Sequence, residues 1–273
     1  MDIFSIIQQA LNEDIGTGDV TTEYLQLDNE ETQAFLVAKQ EGIIAGLEIA
    51  FDVFAYLDNQ VNCVTYRKDG DTVKPGDEIA KVTGLTSALL QAERTALNIL
   101  QRLSGIATLT HKYVKAIEPY EARLLDTRKT TPLLRQLERY AVRVGGGFNH
   151  RFGLYDMVLI KENHIRAAGS ITEAVNRVLD HNTAYRIEVE VTNLKELDEA
   201  VACGVDRVML DNMTVAMMKK AVKKHGNKVE LEASGNVRLD TINEIASTGV
   251  HYISSGALTH SYQSLDISML FKE

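Results

Sequence analysis

Two cysteines in 273 residues, Cys63 and Cys203, are too few and too far apart for a disulfide framework or a thiolate metal site. The expectation is a pair of small buried thiols in a reducing cytoplasm. No tract approaches the roughly 20 apolar residues that cross a bilayer. The start, Met1-Asp2-Ile3-Phe4, lacks the cationic segment of an export signal. The histidines lack the spacing of zinc ligands. No Gly-x-Gly-x-x-Gly follows the first strand, which weakens a dinucleotide reading. Net positive charge is missing as well: 29 Lys and Arg against 38 Asp and Glu leave the chain at −9. A nucleic-acid binder spreads excess positive charge over a wide face, so none is expected here.

What the chain does have is 45% hydrophobic content, enough for a substantial core and for one large or two smaller domains. Its cations are concentrated. From Arg123 to Arg166 there are nine basic residues (123, 128, 129, 135, 139, 143, 151, 161 and 166) and four acidic ones (126, 138, 156 and 162), a local balance of +5. Within this segment lie Leu125-Asp126-Thr127-Arg128-Lys129-Thr130-Thr131-Pro132 and Gly145-Gly146-Gly147-Phe148-Asn149-His150-Arg151. A cationic cluster in an acidic chain points to a small polyanionic ligand. Glycine backbone can approach such a ligand closely, and Arg151 can grip a carboxylate with two hydrogen bonds.

The first hundred residues mix short helical and strand patterns: an amphipathic start (3–11), apolar runs at 34–38 and 43–45, a helical stretch at 47–57 and a strand at 61–67. Asp69-Gly70 and Pro75-Gly76-Asp77 mark tight turns. From Ser87 to Ile117 the spacing is helical, with a break expected at Gly105. Six strand-like runs then alternate with helical segments such as 171–179, 194–202 and 215–225. That pattern argues for parallel βα units. Six strands leave an incomplete barrel and an open doubly wound sheet both possible, and the barrel is favoured.

Alternation along Ile187-Glu188-Val189-Glu190-Val191 and Val229-Glu230-Leu231-Glu232-Ala233-Ser234 puts apolar residues on one face and four glutamates on the other. If the apolar faces pack on helices, the carboxylates point into the barrel, where cations or a metal must share the space. Lys161 is the nearest candidate by strand order, and a salt-bridge lattice without chemistry is the plain alternative. The carboxyl ends of the strands carry Thr127-Arg128-Lys129, Lys161-Glu162-Asn163-His164, Glu190, Asp211-Asn212, Ser234-Gly235-Asn236 and Ser254-Ser255-Gly256. Parallel α/β folds bind ligands at that edge. The two Ser-Gly turns offer hydroxyls and backbone N–H groups to a phosphate. Glu190 and Asp211 offer the hard oxygens that hold Mg2+ beside a phosphate.

Taken together these strings resemble the quinolinate phosphoribosyltransferase family. The resemblance runs almost end to end, through 10–14, 18–22, 93–94, 98–108, the Asp126 and Gly145 motifs, 158–165, 188–191, 209–212, 232–235 and 256–261. It implies an N-terminal α/β sandwich domain over 1–105, rejoined by 265–273, and an incomplete α/β barrel over 106–264. It further implies transfer of phosphoribosyl from phosphoribosyl pyrophosphate to quinolinate with decarboxylation, and a homodimer. By motif, Arg128, His150, Arg151 and Lys161 would bind the quinolinate carboxylates, joined by Arg102 from the other protomer. Lys129, Ser234, Gly235, Asn236, Ser255 and Gly256 would contact the phosphoribosyl donor, and Glu190 and Asp211 the ribose and Mg2+ region. Lys129, Lys161, Glu190 and Asp211 would be the catalytic groups. Asn236 stands where many members have a second glycine. Competing readings are a Schiff-base aldolase using Lys161, a non-catalytic anion-binding module, and a same-fold relative found with molybdate transport.

Overall fold

The computed structural model describes residues 3–27, 30–182 and 184–271. In chain order the elements are α1 (Ile3–Ile15), α2 (Val20–Leu25), β1 (Glu31–Ala38), β2 (Gly42–Ile43), α3 (Leu47–Leu57), β3 (Asn62–Thr65), β4 (Thr72–Val73), β5 (Glu78–Leu85) and α4 (Thr86–Ile117). There follow β6 (Arg123–Leu125), α5 (Arg135–Val144), β7 (Val158–Ile160), α6 (Glu162–Ala168), α7 (Ile171–Leu179), β8 (Ile187–Val191), α8 (Leu194–Ala202) and β9 (Arg207–Asp211). The chain continues with α9 (Val215–His225), β10 (Glu230–Ser234), α10 (Ile242–Ala246), β11 (Tyr252–Ser254), α11 (Ala257–His260) and β12 (Ile267–Phe271).

Contacts divide the chain into two compact units. The first comprises Met1–His111, Thr131–Gly146 and Tyr262–Glu273. Its main sheet is antiparallel in the order β12-β1-β5-β3. Period-two alternation in β1 buries Ala34, Leu36 and Ala38 completely, and these pack with Phe54 of α3 and with Leu89, Leu97 and Leu100 of α4 in one apolar cluster. The Asp69 carboxylate accepts from the N–H groups of Gly46 (2.6 Å) and Leu47 (3.1 Å), so donors at the start of α3 are satisfied from a distant turn. The expected boundary at residue 105 falls inside α4. By contacts the first unit extends to His111, and α5 belongs with it because Glu138 bonds to Arg102 and the Tyr140 hydroxyl to Asp69 (2.6 Å). Of the expected last strand, 272 and 273 lie outside the described residues.

The second unit comprises Lys112–Thr130 and Gly147–Ser261. Its six strands are parallel in the order β6-β11-β10-β9-β8-β7, which makes β6 and β7 the two edges of an incomplete barrel. Phe148 adds a single parallel bridge to the free edge of β6: its N–H donates to Leu124 O (2.8 Å), and its carbonyl accepts from Asp126 (3.0 Å). Helices α7, α8 and α9 begin at Ser170, Asn193 and Thr214, whose side chains accept from backbone N–H groups of the first turn. Val189, Val191, Val208, Leu210, Leu231 and Ala233 are fully buried on one face of the sheet, which leaves the opposite face to the charged residues.

Gly105 does not break α4, which runs unbroken for 32 residues. A Cβ on Gly105 would overlap the backbone carbonyl of Gln263 and lie 2.9 Å from Ser264 Cα, so glycine is required by close approach of a neighbouring strand of chain. In an exposed helix, glycine to alanine stabilises by about 1 kcal/mol. Here Gly105→Ala is expected to destabilise by about 2 kcal/mol in urea unfolding, because backbone cannot step aside as a side chain can. A stabilised variant would contradict the packing described.

Candidate active site

A cavity of about 940 Å³ opens at the carboxyl ends of the barrel strands. Every residue that lines it belongs to the second unit. Among them are Arg128, Lys129, His150, Arg151, Lys161, Glu190, Asp211, Ser234, Gly235, Asn236, Ser255 and Gly256, all expected from sequence. Arg102 is not among them. It sits in the first unit, where Glu138 and Thr131 bind its guanidinium and Tyr262 lies beneath it at 5.1 Å. Tyr113, Arg238, His260 and Ser261 also line the cavity and had no expectation attached. Ser261 closes the 256–261 string, whereas Tyr113 sits on a long helix whose periodicity gives no hint of a ligand-facing position.

The local geometry follows from the sequence. Gly235 has φ of +91°, and a Cβ there would run into the Asn212 side chain. Asn236 next to it adopts φ of +50°, a left-handed conformation that asparagine tolerates, and its Nδ2 donates to Asn212 Oδ1 (3.0 Å). Asparagine therefore keeps the backbone shape that a second glycine would give. At Gly256 a Cβ would stand 2.7 Å from Lys129 Cδ, so the missing side chain makes room for the lysine stem. The Thr259 hydroxyl donates to Lys129 O (2.8 Å), tying that loop to the last βα turn.

The glycine run has a different purpose from the one expected. A Cβ on Gly145 would meet the Ala107 carbonyl oxygen at 2.5 Å, so this glycine serves the packing of α5 on α4, and none of the three glycines lines the cavity. The residues of this segment that line the cavity are His150 and Arg151. Asp126, fully buried, accepts from the His150 N–H (2.7 Å) and from Asn149 Nδ2 (2.5 Å), and Arg151 Nη1 donates to Met157 O (3.1 Å).

Beneath the cavity the four glutamates point inward as alternation requires, and the expected cation, Lys161, meets only one of them. Lys161 binds Glu190 at the rim. The interior cation is Arg207: Nη1 lies 3.1 Å from Glu232, Nη2 lies 3.2 Å from Glu230, and the guanidinium stacks 3.9 Å from the Tyr252 ring centre. Its signal was available, since Arg207-Val208-Met209-Leu210-Asp211 alternates and puts Arg207 on the face of Asp211. His150 Nε2 approaches Glu188 (3.1 Å) and Glu232 (3.5 Å). These three residues do cluster as metal donors would, against the expectation from histidine spacing. Arg207 beside Glu232 already supplies the counter-charge there.

Burial opposes protonation of His150, yet the two carboxylates outweigh it and raise the imidazole pKa to about 9. The Arg151 N–H pointing at Nδ1 (2.7 Å) acts the other way, because a second ring proton would set N–H against N–H. The ring proton therefore sits on Nε2, toward the carboxylates, and a second is gained only if Nδ1 leaves the amide. Of the two carboxyls, Glu188 is pushed up by burial and then by the charge of Glu232. At the rim, burial and then the Glu190 charge raise Asp211. Arg151, 9% exposed, is pushed down by burial and then by the neighbouring charge of Arg128.

An open parallel barrel whose carboxyl rim gathers arginines, lysines and two Ser-Gly turns beside a pair of carboxylates defines a class of anion-handling α/β-barrel proteins. The model of the quinolinate phosphoribosyl transferase N-terminal domain matches residues 19–104, and that of the C-terminal domain residues 106–270. The chain is 46% identical over 258 residues to a Bacillus subtilis protein named probable nicotinate-nucleotide pyrophosphorylase (carboxylating), covering 94% of this chain and 89% of the relative. An Arabidopsis thaliana chloroplastic protein of the corresponding name is 44% identical, covering 98% of this chain and 82% of the relative. The structure of the nicotinate-nucleotide pyrophosphorylase from Francisella tularensis superposes with a TM-score of 0.95 at 43% identity, covering 99% of this chain and 96% of that one. The chain belongs to the quinolinate phosphoribosyltransferase family.

The interior lattice yields a test. Arg207→Met leaves buried Glu232 without its arginine, while Glu230 keeps Arg186, and should cost about 3 kcal/mol of unfolding free energy at pH 7.5. Carboxyls left without their arginine have folded pKa values raised above the unfolded ones, and that penalty vanishes as pH falls through them. The deficit in urea unfolding should therefore shrink at pH 5.5. A deficit that stays constant would mean Arg207 contributes packing rather than charge.

Proposed function

We propose that this cavity carries out the family reaction: phosphoribosyl passes from phosphoribosyl pyrophosphate to the ring nitrogen of quinolinate, and nicotinate mononucleotide, pyrophosphate and CO2 are formed. The observation that carries this reading is Arg151, 9% exposed and pushed down by burial and then by the neighbouring charge of Arg128, which lines the same cavity. A doubly anionic pyridine between such groups relieves repulsion and replaces lost hydration at once. His150 and Lys161 border the same part of the cavity, and Lys129 with Ser234, Gly235, Asn236, Ser255 and Gly256 offers cation, hydroxyl and backbone donors to the phosphates of the second substrate.

The reaction needs little covalent help from the protein. The pyridine nitrogen bonds to the anomeric carbon as the bond to pyrophosphate breaks, through a state with oxocarbenium character. Holding nitrogen and carbon in line supplies part of the acceleration, and anionic Glu190 or Asp211 stabilises the developing positive charge. Once alkylated, the ring nitrogen is cationic, so the electron pair left at the adjacent carbon by departing CO2 is stabilised within the substrate before it is protonated. Glu190 and Asp211 also fit Mg2+: burial and then the Glu190 charge hold Asp211 up, and a hard dication between the two carboxylates would relieve the repulsion. Mg2+ bound there would neutralise charge on the leaving pyrophosphate. A Schiff-base role for Lys161 is disfavoured by its ion pair with Glu190, which already engages the nitrogen a carbonyl would need.

The proposal includes a homodimer in which Arg102 of the partner subunit completes the quinolinate end of the cavity. It is supported by a partly exposed guanidinium that none of the cavity-lining residues holds. A reducing cytoplasm suits the two free thiols: burial and then the Glu48 charge raise Cys63 to about 11, so it stays protonated. Among the described residues no helix is long and apolar enough to cross a membrane.

Purified protein with quinolinate, phosphoribosyl pyrophosphate and Mg2+ is expected to release pyrophosphate and CO2 in equal amounts. Arg151→Ala should lose at least ~2 kcal/mol of transition-state stabilisation, or roughly 30-fold in kcat/KM. Nicotinate has one carboxylate fewer for the same cations and should be a poor substitute. Equal turnover of the two acids would overturn the specificity argument.

A further inference from the structure

Arg102 is held more elaborately than a surface arginine requires. Glu138 on α5, 0% exposed, accepts from Arg102 Nε (3.2 Å) and Nη2 (2.5 Å) through one oxygen, Oε1. Its other oxygen, Oε2, accepts from the Thr131 N–H (3.2 Å), and the Thr131 hydroxyl accepts in turn from Arg102 Nη2. The Tyr262 ring lies under the guanidinium at 5.1 Å, and the arginine side chain keeps 26% of its surface exposed.

These contacts use one edge of the guanidinium and one of its flat faces. Guanidinium has five N–H donors in a fixed fork, so the position of two nitrogens dictates where the third points. Nη1, with its two donors, takes part in none of the contacts above. An arginine fixed this way loses little side-chain entropy when a carboxylate arrives, whereas a free surface arginine would surrender its rotamer freedom. The arrangement also limits neutralisation: Glu138 divides its acceptors between Arg102 and the Thr131 amide, so it orients the cation without engaging all its donors.

We infer that Glu138 is the positioning residue for Arg102, presenting the Nη1 edge to a substrate carboxylate in the cavity of a second copy of this chain. The inference rests on the reading above that Arg102 serves the partner's site. It assigns to α5 a part in substrate affinity that its place in the first unit does not suggest. Thr131 is the accessory: it sits two residues beyond Lys129 and links the arginine clamp to that cationic segment through one stretch of chain.

Glu138→Gln keeps the shape and removes the charge. In the full-length protein it is expected to raise KM for quinolinate roughly tenfold, the value of one charge-assisted hydrogen bond, while KM for phosphoribosyl pyrophosphate stays within about twofold. A purely structural clamp would move both constants together or neither, and either result overturns the inference. Thr131→Val removes one acceptor from a half-buried position, so if Glu138→Gln does not fold this variant decides: quinolinate KM should rise about threefold alone. An unchanged KM in that variant overturns the inference as well.

Two further arms separate this inference from the dimer reading. Arg102→Ala must raise quinolinate KM, and a flat result removes the reading itself. In a mixed dimer of Glu138→Gln with Arg151→Ala chains, the one intact cavity belongs to the Glu138→Gln chain and receives Arg102 from the other. Its quinolinate KM should be that of the wild type. A raised KM there would mean that Arg102 acts within its own chain.

Discussion

The structure depends on how charge is divided inside the barrel. Glu188, Glu230 and Glu232 point into a space that other parallel barrels fill with branched aliphatics, and Arg207 with His150 meets them there. That lower layer is settled among its own members, and the rim above it carries further cations. Arg128 and Arg151 share the rim with Lys129 and with the Lys161–Glu190 pair, and they repel one another across a half-buried cavity. A chain with net charge −9 thus presents a locally cationic mouth without becoming a general anion binder.

The same lattice places the reactive residues. His150 touches the glutamates through Nε2 and the Arg151 amide through Nδ1, while Asp126 holds the backbone of the same segment from the other side. Register then does the rest. Ser234 and Asp211 are paired across β10 and β9, so the serine turn and the carboxylate stand at one level of the rim. A single-residue slip would turn the glutamates outward into the helices.

Much of this was legible in the sequence because it rests on period-two alternation and on strand ends. The inward glutamates and the rim residues at strand ends, such as Lys129, Asp211 and Gly256, follow from those two rules, and the helices 171–179, 194–202 and 215–225 from their own apolar spacing. The misses share another origin. Gly105 and Gly145 were read as local signals, a break and a ligand contact, when each answers to a distant backbone segment. Arg207 escapes a rule built on carboxyl ends because it lies at the start of its strand. The clamp on Arg102 joins residues 102, 131, 138 and 262, a constellation no local pattern encodes.

The central claim is that separate loops bring their cations to one end of the cavity for a dicarboxylate. A crystal structure with quinolinate bound tests it most directly. The account predicts both carboxylates within hydrogen-bond reach of Arg128, Arg151 and Lys161, with the ring nitrogen facing Glu190 and Asp211. Carboxylates seated on the Ser234 and Ser255 turns, with the arginines turned to solvent, would contradict it.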